Sequence, residues 1–254
     1  MKAVVVALCF AFLCADALAQ CDDGVPELVC KASKNQDRSL TMRDHCRYQQ
    51  RASVQLYKKL KDGTAGSLEK TRETTVIVEP SMQPDETGRY PVITRVVADT
   101  DDKGRPKSKV DPNAKTGLTS GAFLDIIFFP LLPEKLKYYQ FEELESDRAG
   151  EKLFRFYPKP GATQEPLASG KVYLNPESGA VLTLKIEGLY NLEVMDKVLK
   201  NLGKVFATVD FSEFDGKYRM PTYATGGGIS DVRGFKGVFK FVFEESKYTQ
   251  VLKL

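Results

Sequence analysis

Tryptophan is absent from the 254 residues, and His45 is the single histidine. Each absence excludes chemistry. One histidine cannot build an imidazole-rich metal centre, and a Ser-His-Asp system could recruit only His45. Asp44-His45-Cys46 are adjacent in sequence, which does not give a base the geometry to activate the neighbouring thiol. The chain also has no H-E-x-x-H, G-x-S-x-G or P-loop pattern. Carboxylates cluster at Glu142, Glu143 and Glu145, and again at Glu244 and Glu245. Strand alternation would set Glu143 and Glu145 on one face, and paired carboxylates can hydrolyse glycosides. Such runs are more often solvated faces, and tryptophan for stacking sugars is missing. The reading is therefore no enzyme, no cofactor and no metal. A net charge of only +3, with both signs interspersed, gives no reason to expect nucleic acid.

Hydrophobic runs of spanning length are missing too. The longest opens the chain: Met1-Lys2 precedes an apolar run from Ala3 to Ala15, and Ala17-Leu18-Ala19 follows as a small-x-small cleavage pattern. The run falls short of the roughly 20 residues that cross a bilayer. It reads as a secretory signal over 1–19, leaving a single domain over 20–254 that is exported to the periplasm or cell envelope. Leu18-Ala19-Gln20-Cys21 sits close to a lipobox, which makes Cys21 a possible lipidation site and membrane contact peripheral or through an anchor. Cleavage would leave Cys21, Cys30 and Cys46. In an oxidising compartment the expected disulfide is Cys30 to Cys46.

What is abundant is alternation. Residues 22–46 carry apolar residues at helical intervals. From Tyr48 to Leu60 one parity is apolar (Tyr48, Ala52, Val54, Leu56, Leu60) and the other polar, the pattern of an antiparallel strand with one wet face. Asp62-Gly63 and Asp215-Gly216 are hairpin turns. Leu68 to Glu79 and Pro91 to Ala98 read as strands, and the segment to Gly121 as an exposed charged loop. Beyond residue 137 strands succeed one another, with Asn175-Pro176-Glu177-Ser178-Gly179 as a tight turn, Met195–Leu202 a short helix or a loop, and Gly226-Gly227-Gly228 a flexible turn. Val251 to Leu254 is a candidate closing strand. The fold expected is mainly β with a few helices, a large curved antiparallel sheet or incomplete barrel.

The most hydrophobic segment after the signal is Ala122 to Pro133. Pro130 and Pro133 limit it to a short helix over 121–128 and a turn. Its apolar residues point all round, so it is buried on more than one side. It either lines a pocket for an acyl chain or completes the core.

The order of elements resembles the LolA/LolB-type superfamily of exported lipoprotein carriers. The residues that carry the resemblance are Gly170-Lys171-Val172-Tyr173-Leu174-Asn175-Pro176-Glu177-Ser178-Gly179-Ala180-Val181-Leu182 and Phe128-Phe129-Pro130-Leu131-Leu132-Pro133-Glu134. The resemblance implies a half-barrel wrapped around lid helices, with acyl chains held on the concave face. It implies Phe123, Ile127, Phe128 and Leu131 as lid or lining residues, and a lipid or lipidated protein as partner. The alternative is a sensor or scaffold domain that binds a protein through the same fold.

Overall fold

The structure, a computed structural model, describes residues 24–86, 90–114 and 122–254. The signal segment and Cys21 lie outside the described residues. One helix, α1 (Glu27–Asp44), is followed by β1 (Cys46–Lys59), β2 (Ala65–Pro80), β3 (Val92–Asp99), a short helix α2 (Ala122–Phe128) and a 3-10 turn (Pro133–Tyr138). Then come β4 (Tyr139–Leu144), β5 (Lys152–Pro158), β6 (Leu167–Leu174), β7 (Val181–Tyr190), two 3-10 turns (Leu192–Val194 and Lys197–Asn201), β8 (Leu202–Phe214), β9 (Tyr218–Val232) and β10 (Phe235–Gln250). The strands form one antiparallel sheet in the order β3-β2-β1-β10-β9-β8-β7-β6-β5-β4. Its two edges, β3 and β4, do not pair, so the sheet is an incomplete barrel.

Hairpins explain most of this order, because consecutive strands pair from β4 to β10 and from β1 to β3. At Asp215-Gly216 both turn residues are left-handed (φ 52° and 64°), which matches the twist of the flanking strands. The one long-range pairing joins β1 to β10. It places Ala52 opposite Phe243, Val54 opposite Phe241 and Leu56 opposite Phe239. Phe239, Phe241 and Phe243 stack along β10 with ring centroids 6.3 and 4.9 Å apart, and all three are buried.

The expected flexible turn at Gly226-Gly227-Gly228 is instead the middle of β9. The reason is the phenylalanine ladder. Gly226 and Gly228 pair with Phe241 and Phe239. A Cβ on Gly226 would stand 2.6 Å from the Phe241 ring, and one on Gly228 2.8 Å from the Phe239 ring. The glycines give up strand propensity so that the rings can lie flat on the backbone. Val251 to Leu254 adds no strand. Its first two backbone N–H groups instead donate to the His45 carbonyl.

The concave face is covered by α1, α2 and the turn after α2. The buried face of α1 combines Val29, Ala32 and Leu40 with the polar Ser33, Gln36, Ser39 and Arg43. Three of these polar groups have work that the fold sets. Gln36 donates to the Phe128 carbonyl (3.2 Å) and accepts from the Leu131 N–H (3.0 Å), holding both sides of Pro130. Ser39 accepts from the Arg219 N–H. Arg43 gives Nε and Nη2 to Glu245 of β10 (3.1 and 2.7 Å) and Nη1 to Asp125 of α2 (3.3 Å). Tyr248 donates to the same Glu245 carboxylate.

Gly226→Ala and Gly228→Ala are each expected to cost about 1–3 kcal/mol through overpacking against the rings and the facing backbone, although alanine restricts the unfolded chain more than glycine does. Urea unfolding of the two variants checks this. An unchanged midpoint would mean that the rings do not need the glycines.

Candidate ligand-binding cavity

The helices cover only part of the concave face. Beyond them, where β1, β2 and β10 extend past the plug, lies a cavity of about 610 Å³. That is within the size range of small-ligand sites. Strand register grades its surface from apolar to charged. Phe243, Ala52 and Thr74 are successive neighbours across β10, β1 and β2; so are Phe241, Val54 and Arg72, and Phe239, Leu56 and Lys70. Ala52, Val54, Leu56 and Phe235 form the floor, while Lys70, Arg72 and Asp102 stand on one side. The opposite wall is the 3-10 segment with Asp196, Val198 and Leu199. Asp196 is committed there, because its carboxylate accepts the Val198 N–H at 2.8 Å and starts the turn.

Behind the charged wall sits Asp99, the last residue of β3. It accepts from Arg72 Nε and Nη2 (2.9 and 2.7 Å), Lys107 Nζ (2.6 Å) and Thr74 Oγ1 (3.0 Å). Burial alone would raise its carboxyl, but these donors outweigh it and hold the group well below the ordinary carboxylate range. The network fixes the Arg72 guanidinium at the cavity edge.

Phe123, Ile127, Phe128 and Leu131, expected to line a ligand site, do not line this cavity. Ile127, Phe128 and Leu131 are fully buried in the main core, and Phe123 packs against it. The physical reason is that Gln36 draws the α2–Pro130 segment down onto α1, so these side chains fill the concavity at that end. The expected Cys30–Cys46 disulfide is also not formed. Cys46 is a free, buried thiol, whereas Cys30 is disulfide-bonded and its partner lies outside the described residues. Cys30 is in the first turn of α1 and Cys46 lies just past the far end of that helix, about 20 Å away along its axis. A disulfide needs Cα atoms within about 7 Å.

The carboxylates do not converge on a reaction centre. Glu142 and Glu143 make exposed ion pairs with Arg155 and Lys152, Glu145 follows the end of β4, and Glu245 is taken by Arg43. The His45 Nδ1 lies 2.7 Å from the Thr41 carbonyl, and its ring meets Tyr90 edge-on. Among the described residues no group of three or more His, Cys, Asp or Glu is placed to hold a metal ion. No described helix is long and apolar enough to cross a membrane.

No protein-family model and no curated protein matches the chain. Among solved structures, the chain is similar to LolA-type proteins. A LolA superfamily protein from Nitrosomonas europaea aligns over 88% of this chain and 94% of its own, at 10% identity and a TM-score of 0.34. An outer membrane lipoprotein-sorting protein domain from Vibrio parahaemolyticus aligns over the same shares at 10% identity and a TM-score of 0.32. The MucA/MucB complex of Pseudomonas aeruginosa aligns over 84% of this chain and 94% of the other, at 9% identity and a TM-score of 0.23.

The cavity residues Lys70, Arg72 and Leu199 were not singled out from the sequence. One signal was present: Lys70, Arg72 and Thr74 share the parity of Val76 and Val78, so the core face of β2 turns charged part-way along.

Two outcomes are expected. Asp99→Asn destabilises the protein by about 1–3 kcal/mol at neutral pH. Because the folded carboxyl is held low, its contribution is complete above the unfolded value near pH 4 and is lost as pH falls through the folded one. The gap between wild type and variant in urea unfolding should therefore shrink progressively below about pH 4. Second, burial pushes the Cys46 thiol up to about 11. It should resist alkylation at neutral pH in the folded protein and react at once in denaturant, as intact mass will report.

Proposed function

We propose that this is a non-enzymatic exported protein that holds an acyl chain, of a lipid or a lipidated partner, in the cavity at the β1–β2–β10 end of the half-barrel. The observation that carries this reading is the apolar floor of Ala52, Val54, Leu56 and Phe235, left open where the helical plug ends. A preformed apolar cleft of this size gains free energy from any ligand that brings methylene groups out of water. The N-terminal signal supplies the route of export, and the open sheet supplies access without unfolding the core.

A second reading, a sensor or scaffold domain with a protein partner, is favoured by edge strand β3. Val92, Ile93 and Val97 are exposed there, and an apolar sheet edge is a surface on which another chain can pair.

Displacement of the neutral dye N-phenyl-1-naphthylamine by alkyl ligands of increasing length tests the first reading. Each buried methylene contributes about 0.8 kcal/mol, so two more carbons should tighten binding roughly tenfold until the cavity is full. Val54→Trp, which places an indole on the floor, should weaken binding about tenfold or more. Affinity that is flat with chain length and unaffected by Val54→Trp would transfer the weight to the β3 surface.

A further inference from the structure

The mouth of the cavity carries information about the head of its ligand. This inference rests on the acyl-chain reading above and adds the chemical class. Three cations, Lys70, Arg72 and Lys107, stand at or behind the wall opposite the 3-10 segment, together with two carboxylates, Asp99 and Asp102. Asp99 is saturated by four donors and buried. The remaining acid, Asp102, meets Lys70 at 3.1 Å, and both side chains of that pair are about half exposed or more (48% for Lys70, 62% for Asp102). An exposed pair of this kind is worth little, so another anion can replace Asp102 at small cost.

Arg72 is differently placed. Asp99 orients its guanidinium through Nε and Nη2. Its Nη1 has no partner among the described residues, and the side chain is 44% exposed. Lys70 and Arg72 are two residues apart on one strand face, next to Leu56 and Val54 of the floor. A chain lying on that floor would end between the two cations. On the other wall, the exposed Asp196 carboxylate accepts one hydrogen bond, from the Val198 N–H, and keeps its charge, so an anionic head is placed against Lys70 and Arg72 and away from the 3-10 segment.

We propose that the cavity takes a single-chain amphiphile with an anionic head, a carboxylate or phosphate. The chain lies on Ala52, Val54, Leu56 and Phe235, and the head is bridged by Lys70 Nζ and Arg72 Nη1. No covalent step is involved.

The test uses the full chain and three ligands of equal length: dodecanoate, dodecan-1-ol and dodecyltrimethylammonium, each displacing N-phenyl-1-naphthylamine. Dodecanoate is expected to bind about tenfold or more tighter than dodecan-1-ol, with dodecyltrimethylammonium weakest. The preference should narrow as ionic strength rises. Lys70→Gln with Arg72→Gln should abolish the preference, so that dodecanoate no longer binds tighter than dodecan-1-ol. Lys70→Glu alone, which leaves the Asp99 network intact, should reverse the order of dodecanoate and dodecyltrimethylammonium and guards against misfolding of the double variant. If dodecanoate and dodecan-1-ol bind equally, or if the Lys70 variants keep the preference, the anionic-head proposal is overturned while the acyl-chain reading stands. If none of the three displaces the dye, both are overturned.

Discussion

Ten strands with one apolar face need cover, and the described residues supply less helix than the sheet demands. At about 4.8 Å per strand the sheet is roughly 43 Å across before it curves. The 18 residues of α1 make a rod about 27 Å long and 10–12 Å wide. Curling the sheet around the helix reduces the shortfall, and the Pro-bounded α2 segment and the 3-10 turns reduce it further. What is still uncovered is the far end of β1, β2 and β10. The cavity is there because the cover runs out, and the phenylalanine ladder of β10 runs from the filled end into the open one.

Where cover exists, it is held in register by polar groups as well as by oil. Arg43 is buried under Glu245, Asp125 and the faces of Tyr48, Phe128 and Phe129. Burial disfavours its charge most strongly of any single effect, yet the Glu245 carboxylate and the groups around it together outweigh burial and hold its pKa above the ordinary guanidinium value. Such a pair is a poor source of net stability, but breaking it by removing one partner typically costs about 3–5 kcal/mol. Its value lies in position. One docking of α1 satisfies Arg43, Gln36 and Ser39 together, and a helix slipped by a turn would leave three buried polar groups without partners.

The same logic of commitment separates the structural charges from the ones at the cavity. Glu245 and Asp99 are both consumed by donors from their own fold. Lys70, Arg72 Nη1 and Asp102 are held only by exposed contacts or by none, beside an apolar floor. An apolar surface bounded by weakly committed charge is the physical profile of a site for an amphiphile.

The chain's own pattern determined the class of fold. Period-two alternation from Tyr48, the Asp-Gly turns and the even spacing of strands require an antiparallel meander with one wet face, and Pro130 and Pro133 require a short, buried helical segment. These are local constraints, written within a few residues of each other. Three matters were decided by tertiary structure. The glycine triplet became strand because aromatic rings more than ten residues away need its missing side chains. Cys30 and Cys46 were kept apart because an unbroken helix lies between them. The segment at 122–132 became core, and the cavity opened elsewhere, because Gln36 and Arg43 fix where the helices dock and so where the cover of the sheet ends. A polar residue on a helix carries no mark in sequence of the buried group it will meet across the fold.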